Sequence, residues 1–400
     1  MRPSSLTRAV VLLAGLASFL SVHPVYAWKN GELLIWMDGD RGNALKPIAQ
    51  KFQGDMGVKI TIETPDKLTD LYPIAAQAGK GPDIVVWAHD KISEWADSGL
   101  IRSVNPSGDF KKRFLPKAWD GLAHEGQIWG YPIALETVTL LYNRKLVSGP
   151  PPKRLSELEP LARRIKMEHP GVFAVMWDYK SAYYSWGFLA SGGGYPFKKQ
   201  GTDYDAKDTG VDVPGAVAVL SDIAGLVNAG VLPRAISYSQ TEELMGLGRL
   251  AMTVSGPWAW SNLTQKGIDF GVAPLPGLKG EPARPFVGIM TAYLNASSPN
   301  DDIARTFLEH SVLTLNGLTA MNSAKPLGVP ALIELCDQLS KNDERLRDLR
   351  TCVEAGEVTP NIPQMGRFFS AVSGALEVAT EGRSTPEAAL KEAAASMRQN

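Results

Sequence analysis

Cysteine and histidine are scarce in this chain, which limits the metal or disulfide chemistry it can support. The 400 residues include 2 cysteines and 5 histidines. Cys336 and Cys352 lie in a segment predicted as two short helices, and an exported chain could oxidise them to a disulfide. A helix hairpin turning near residue 342 would instead place Cys336 opposite residue 348, so both states stay open. The cysteines and histidines match no metal-ligand spacing, and we therefore expect no metal and no other cofactor.

A large excess of charge of either sign is also missing. Lys and Arg number 41 against 42 Asp and Glu, which gives a formal net charge of −1 at pH 7. Proteins that bind polyanions generally carry clustered positive charge, so we expect no nucleic-acid partner. No predicted strand end carries a G-x-S-x-G, H-E-x-x-H or phosphate-loop pattern. Gly192–Gly194 lacks the spacing of a phosphate loop and is predicted to be a turn.

The apolar run near the amino terminus is too short to cross a membrane. Arg2 and Arg8 precede the run Ala9–Leu20, and Val25–Ala27 offers a signal-peptidase-like site that ends in a small residue. An uncleaved anchor would need about 20 apolar residues. A lipoprotein would carry a cysteine near the cleavage site, and this sequence has none there. We therefore predict a secretory signal over residues 1–27 and a periplasmic location.

Several predicted strands end abruptly in polar or aromatic residues. The buried run Ile84–Trp87 follows Gly-Pro and is followed by Asp90 and Lys91. Upstream, strand, helix, strand and helix patterns follow one another from residue 32 to residue 78, which predicts right-handed crossovers and a parallel sheet. Ligands of open α/β sheets lie beyond the carboxyl ends of the strands. We therefore expect Asp40 and Arg41, which follow the first strand, to lie near Trp87 and Asp90.

The chain then starts a second α/β set. Gly149–Pro152 is a rigid break, and helix and strand patterns alternate beyond it up to the strand Leu250–Ser255. The segment Gly256–Asn262, which follows that strand directly, contains two tryptophans. Phe286–Ala292 is predicted to cross back toward the first set, and helices fill the rest of the chain. The last helix is predicted to open with a capping box that begins at Ser384.

These motifs, spread over nearly the whole mature chain, resemble the periplasmic maltose/maltodextrin-binding proteins. The stretches that carry the resemblance are Asp38–Gly42, Gly81–Asp90, Tyr131–Glu136, Gly256–Asn262 and Pro360–Met365. The resemblance implies an α/β, two-lobed periplasmic-binding-protein fold with hinge crossings between the lobes. The expected lobes are an N-lobe of residues 28–136 plus 287–340 and a C-lobe of residues 137–286 plus 341–400.

The resemblance also implies a set of sugar-binding residues. Acids and bases would bind hydroxyl groups through charge-assisted hydrogen bonds, while aromatic rings would cover the apolar faces of pyranose rings. Arg41 stands where the family has Lys, and Lys91 where it has Arg. We expect His89 and Trp260 to be packed residues rather than ligands. The expected ligand-binding residues are Asp40, Arg41, Trp87, Asp90, Lys91, Glu136, Tyr183, Trp258 and Phe369.

Some positions depart from the family pattern. Ser181 and Thr69 stand at carboxylate positions, and the family has Trp, Tyr and Arg where this chain has Phe369, Ser370 and Ser373. One ring and one cation are therefore missing from the subsite farthest from Trp258. We hypothesise a preference for short or differently linked glucosides over long maltodextrins.

The function expected from this pattern is sugar transport rather than catalysis. We predict a monomeric solute-binding protein that captures a maltose-like or other α-glucosidic di- or oligosaccharide and delivers it to an inner-membrane ABC permease. The alternative is a secreted glycoside hydrolase, because paired carboxylates in a sugar cleft also serve hydrolysis. No carboxyl group is marked by the sequence as one held protonated, so we expect no enzymatic activity.

Overall fold

The computed structural model describes Trp28 and residues 31–399, so the predicted signal over residues 1–27 lies outside the described residues. Within the described part, no helix is both long and apolar enough to cross a bilayer. The strands are β1 (Glu32–Trp36), β2 (Lys59–Glu63), β3 (Ile84–Ala88), β4 (Ile101–Arg102), β5 (Ala123–His124), β6 (Gln127–Ile128), β7 (Tyr131–Thr137), β8 (Thr139–Asn143), β9 (Phe173–Met176), β10 (Lys198–Gln200), β11 (Asp203–Asp205), β12 (Leu250–Ser255), β13 (Phe270–Ala273), β14 (Phe286–Asn295), β15 (Val329–Pro330) and β16 (Glu357–Val358).

Helices surround these strands and short 3-10 turns follow some of them. The helices are α1 (Gly39–Met56), α2 (Leu68–Gln77), α3 (Ile92–Asp97), α4 (Gly108–Lys112), α5 (Pro116–Asp120), α6 (Leu158–Glu168), α7 (Ala182–Ser191), α8 (Pro214–Asn228), α9 (Tyr238–Gly246), α10 (Trp260–Gln265), α11 (Asp301–Phe307), α12 (Leu315–Ala324), α13 (Ile333–Asn342), α14 (Glu344–Ala355), α15 (Met365–Thr380) and α16 (Pro386–Arg398). The 3-10 turns are His89–Lys91, Leu155–Glu157 and Pro257–Ala259, and a π-type turn spans Leu308–Val312.

The first lobe is built on an eight-stranded sheet. Its strands follow the order β15-β7-β14-β3-β1-β2, and β4 and β16 also pair with β14. β1 pairs in parallel with both β2 and β3, as the succession of strands and helices predicted. β14 runs antiparallel to β3 and to β7, so β7 runs in the same direction as β3. The carboxyl ends of β1, β2, β3 and β7 therefore share one edge of the sheet.

Helix α1 shows how local sequence places residues at that edge. The Asp38 side chain accepts the Arg41 N–H and caps the helix, which therefore begins at Gly39. Gly57 ends the helix in the left-handed conformation at φ 70°. Leu45 and Phe52 lie on its buried face and belong to the first core. The early start puts Asp38 to Arg41 directly after β1.

The second lobe contains a four-stranded sheet in the order β13-β8-β12-β9. Helices α7, α8, α15 and α16 contribute to its core, which is separate from the core around β1–β3. Thr385, not Ser384, caps α16, since the Thr385 hydroxyl accepts the Ala388 N–H at 3.2 Å. The predicted capping box was wrong by one residue because Pro386 already occupies the first helical position, and its ring favours helical φ there.

The two sheets are linked by the chain and by helix packing. β7 ends at Thr137 and β8 begins at Thr139, so the chain leaves the first sheet and enters the second within three residues. α14 contacts both β13 and β7, and thereby touches both sheets. α14 also carries Cys352, while α13 carries Cys336; both thiols are free and buried.

Candidate ligand-binding site

Trp87 and Glu136 lie at the shared edge of the first sheet, on two strands that flank β14. Trp87 pairs with Thr291 of β14 and Glu136 pairs with Gly288 of the same strand. Two strand spacings of about 4.8 Å and three residues at about 3.4 Å rise put their Cα atoms roughly 14 Å apart. Trp87 leaves 40% of its surface exposed although it follows buried strand residues. The edge therefore presents an aromatic face and an acid on either side of β14.

The turn after β3 is held by a buried histidine. His89 is 1% exposed, its Nδ1 accepts the Ile289 N–H at 3.1 Å, and its Nε2 lies 2.9 Å from Thr359 O. This network assigns the proton to Nε2, which donates to the Thr359 carbonyl. Burial lowers the pKa of His89 to about 4, although the bond to Thr359 opposes the shift. His89 is thus packed and hydrogen-bonded, as the sequence predicted, and its neutral ring ties the turn to β14.

Asp90 and Lys91 occupy the surface of the same turn. Asp90 is exposed to solvent, yet the protein around it partly desolvates the carboxyl and raises the pKa of Asp90, against the charge of Lys91. Lys91 Nζ donates to Glu94 Oε2 at 2.8 Å. The Lys91 ammonium group is therefore held by the first turn of α3.

The start of α1 and the end of β7 form a charged cluster. Arg41 is buried, and its guanidinium donates to Asp38 Oδ2 at 3.2 Å and to Pro326 O at 2.7 Å. Lys325 Nζ lies 3.9 Å from Asp40 Oδ2. Burial raises the pKa of Glu136, and the charges of Arg41 and Lys325 oppose that shift. The cluster brings predicted residues from two strand ends together. Arg41 is held by Asp38 and Pro326, while its buried Nε has no hydrogen-bond partner among the described residues.

An aromatic surface on the second lobe faces this cluster. Tyr183 is the second residue of α7, and its ring centroid lies 6.4 Å from that of Trp258. Trp258 is 36% exposed and its Nε1 donates to Tyr238 OH at 2.9 Å. Tyr238 stacks on Tyr184 at 5.3 Å with 10° between the ring planes. Four rings therefore form one continuous aromatic cluster, which we call the tyrosine–tryptophan cluster: Tyr183, Tyr184, Tyr238 and Trp258.

Two glycines bring this cluster close to Glu136. A Cβ at Gly256 would stand 2.2 Å from the Trp258 ring, so only glycine lets the ring fold back over the end of β12. Gly328 has φ +80°, and a Cβ there would lie 3.3 Å from Pro257 Cγ and 3.5 Å from Glu136 Cβ. Burial raises the pKa of Tyr183, and Glu136 adds to that shift. The Glu136 carboxyl and the tyrosine–tryptophan cluster therefore lie across one boundary between the lobes.

Phe369 is tied to the second core. Its ring packs edge-on against Phe286 at 5.8 Å and against Phe368 at 5.3 Å, and it remains half-buried. On the same helix, the Ser373 hydroxyl accepts the Ala182 N–H at 2.9 Å and so caps α7 from another element. Ser373 therefore has a structural task at a position where the family pattern has a cation.

Three residues that the sequence did not single out as ligand contacts belong to the same surroundings. Tyr184 and Tyr238 complete the tyrosine–tryptophan cluster, and Lys325 faces Asp40. Tyr184 follows Tyr183 directly and could have been found from that neighbour. Tyr238 and Lys325 lie at helix ends distant in sequence, so no local pattern placed them here.

Comparisons with known proteins agree with this architecture. Residues 38–311 match the family described as bacterial extracellular solute-binding protein. A maltotriose-binding protein of Pyrococcus abyssi is 29% identical over 87% of this chain and 77% of its own length. A galactooligosaccharide-binding protein of Bacillus subtilis is 27% identical over 92% of this chain and 88% of its own length. A maltodextrin-binding protein of the same species is 26% identical over 89% of this chain and 87% of its own length.

Proposed function

This chain belongs to the family of bacterial extracellular solute-binding proteins, and from that membership we propose that it captures a maltose-like or other α-glucosidic di- or oligosaccharide. The observation that carries the proposal is the pairing of half-exposed rings with carboxyl groups across the lobe boundary. Trp87 and Trp258 offer flat apolar faces, while Asp40, Asp90 and Glu136 offer acceptors. Pyranose rings combine C–H faces with hydroxyl edges, and that combination suits both kinds of group.

The specificity for glucosides is tested by a binding panel. Intrinsic fluorescence of the mature protein should change with maltose or maltotriose, because Trp87 and Trp258 are partly exposed and would be covered by the sugar. The panel includes sucrose, trehalose and a galactooligosaccharide, since one relative is named for the last class. Saturable binding of a glucoside supports the proposal, while tight binding of the galactooligosaccharide alone contradicts the α-glucosidic assignment.

We also propose that the two lobes move about the strands that cross between them. The proposed lobes are residues 28–136 plus 287–340 and residues 137–286 plus 341–400. Support comes from the direct passage from β7 to β8 and from the long strand β14. A sugar that touches both lobes favours the closed state through its additional contacts there. Small-angle scattering should show compaction at saturating sugar, and an unchanged profile would contradict hinge closure.

Delivery to an ABC permease completes the proposal. The curated relatives include solute-binding lipoproteins of maltooligosaccharide ABC transporters, which supports this partner and an extracytoplasmic location. We propose the periplasm, from the predicted signal over residues 1–27. Deletion of the gene in its native host should abolish high-affinity uptake of the bound sugar, and unchanged uptake would contradict the assignment.

A hydrolase is the second candidate, because burial raises the pKa of Glu136 and a general acid needs such a shift. The positive charges of Arg41 and Lys325 act in the opposite direction. We propose that the protein binds sugar without cleaving it. Prolonged incubation with maltotriose should release no new reducing ends, whereas release that disappears in Glu136→Gln would establish the hydrolase.

A further inference from the structure

Two hairpin turns from different lobes meet on the surface of the protein. The turn between β5 and β6 has positive φ at Glu125 (50°) and Gly126 (74°), as a two-residue turn of type I′ requires. Glu125 N donates to Asp203 Oδ1 at 3.1 Å, and Gly126 N donates to Thr202 Oγ1 at 3.3 Å. Both acceptors lie at the turn between β10 and β11. The backbone N–H groups of the β5–β6 turn therefore bind side chains of the β10–β11 hairpin.

A buried imidazole stands between carboxylates at this contact. His124 is 8% exposed, and its Nε2 lies 3.0 Å from Asp97 Oδ1. Nδ1 lies 3.5 Å from Asp203 Oδ1 and, among the described residues, has no hydrogen-bond partner. Asp97, His124 and Glu125 each place one ligand atom within 4.8 Å of the others. Nε2 is hydrogen-bonded to Asp97, whereas a buried Nδ1 without a partner is unfavourable unless the ring is drawn toward a carboxylate that can accept its proton.

We propose that Asp97, His124 and Glu125 form a binding site for a divalent transition metal of the zinc class. Zinc bonds of about 2.0–2.1 Å to nitrogen and 2.0–2.2 Å to oxygen put neighbouring ligands of a tetrahedral site roughly 3.3 Å apart. The 3.0 Å between His124 Nε2 and Asp97 Oδ1 is already close to that separation. One imidazole with two carboxylates and a water matches the ligand preference of zinc, whereas magnesium and calcium prefer all-oxygen sites.

Asp203 would act as a positioning residue. A metal-bound histidine commonly donates its other ring N–H to a carboxylate, which fixes the tautomer and the ring orientation. Asp203 Oδ1 lies 3.5 Å from Nδ1, so it is the carboxylate that would accept this N–H when Nε2 binds the metal. Since Asp203 belongs to the other hairpin, the bound metal would strengthen the contact between the two hairpins. The proposal departs from the sequence expectation of no metal, because Asp97 and His124 are 27 residues apart and show no ligand spacing.

Zinc titration of the mature protein without a polyhistidine tag tests the site. Competition with a chromophoric chelator should reveal one Zn²⁺ per chain at micromolar affinity, with weaker binding of Mg²⁺ and Ca²⁺. His124→Gln and Asp97→Asn should each weaken zinc binding at least tenfold, and Asp203→Asn by about tenfold or more, as for outer carboxylates of other zinc sites. The matched control is His310→Gln, which removes an exposed histidine from a different part of the chain.

Sugar binding and thermal unfolding in EDTA show whether each variant is folded, independently of zinc. Unchanged zinc affinity in folded His124→Gln, an equal loss in His310→Gln, or equal affinity for Mg²⁺ and Zn²⁺ in the parent would each overturn the proposal. Because zinc is measured in the absence of sugar, failure of this site leaves the proposed sugar binding untouched, and failure of sugar binding leaves the zinc result standing.

Discussion

Replacement of Trp258 by alanine should weaken sugar binding by roughly 5- to 30-fold. The Trp258 side chain is 36% exposed, and a tryptophan contributes up to about 250 Å² of surface, so a sugar can cover at most roughly 90 Å² of it. At about 25 cal/mol per Å² this contact stabilises the complex by up to ~2 kcal/mol, or by ~1 kcal/mol if half of the area is covered. Each 1.4 kcal/mol corresponds to about a tenfold change in Kd.

Titration calorimetry of Trp258→Ala against the best glucoside measures this change. The matched control is Phe173→Ala, because Phe173 is 43% exposed but pairs with Leu250, at the opposite end of β12 from the tyrosine–tryptophan cluster. Trp258→Phe keeps a ring and should recover part of the affinity. A loss below about threefold in folded Trp258→Ala, or an equal loss in Phe173→Ala, would refute the stacking role.

Four further predictions rest on the same site and its supports. Glu136→Gln keeps the side-chain shape but removes a charged acceptor for sugar hydroxyls, so calorimetry should show sugar binding about tenfold weaker or more. Because burial of that charge is unfavourable, thermal unfolding at pH 7 should show no loss of stability. Burial lowers the pKa of His89 to about 4, whereas an unfolded histidine titrates near pH ~6.5. The neutral ring therefore stabilises the fold fully above pH ~6.5, and roughly 3 kcal/mol of the free energy of unfolding is lost as the pH falls from there through 4. Urea titrations of His89→Gln should lack that part of the pH dependence. Phe369→Trp with Ser370→Tyr should raise maltotriose affinity if the altered subsite limits it, and no gain would sink that hypothesis. Ser373→Ala should destabilise the fold by about 0.5–2 kcal/mol in urea, because it removes the acceptor that caps α7; an unchanged free energy of unfolding would exclude the capping role.

The first lobe could be predicted because its elements are long and apolar. β3 is buried through Ile84, Val85 and Val86, so its pattern reads as a central strand. The β10–β11 hairpin could not be predicted, since its strands Lys198–Gln200 and Asp203–Asp205 are polar, the first exposed and the second half-buried. Its stability comes from contacts with distant segments, and no local periodicity records those.

The candidate site was predictable where residues follow strands directly. Trp87 and Trp258 could be proposed as site residues because each lies at or just beyond the end of a buried strand. The burial of Arg41 against Pro326 could not be foreseen, because that carbonyl comes from a loop 285 residues away. Tyr238 likewise reaches Trp258 from the start of α9. Residues that follow a strand in the sequence can therefore be placed at the sheet edge. The residues that contact them from distant segments can be identified only from the tertiary structure.

The central claim is that a saccharide is held between both lobes at this edge. Hydrogen–deuterium exchange at saturating sugar tests it most directly. Amide protection should rise together in the turn His89–Lys91 of the first lobe and in the turn Pro257–Ala259 of the second. Helix α6, Leu158–Glu168, should exchange at the same rate with and without sugar. Protection confined to one of the two turns, or found only elsewhere in the chain, would contradict the claim.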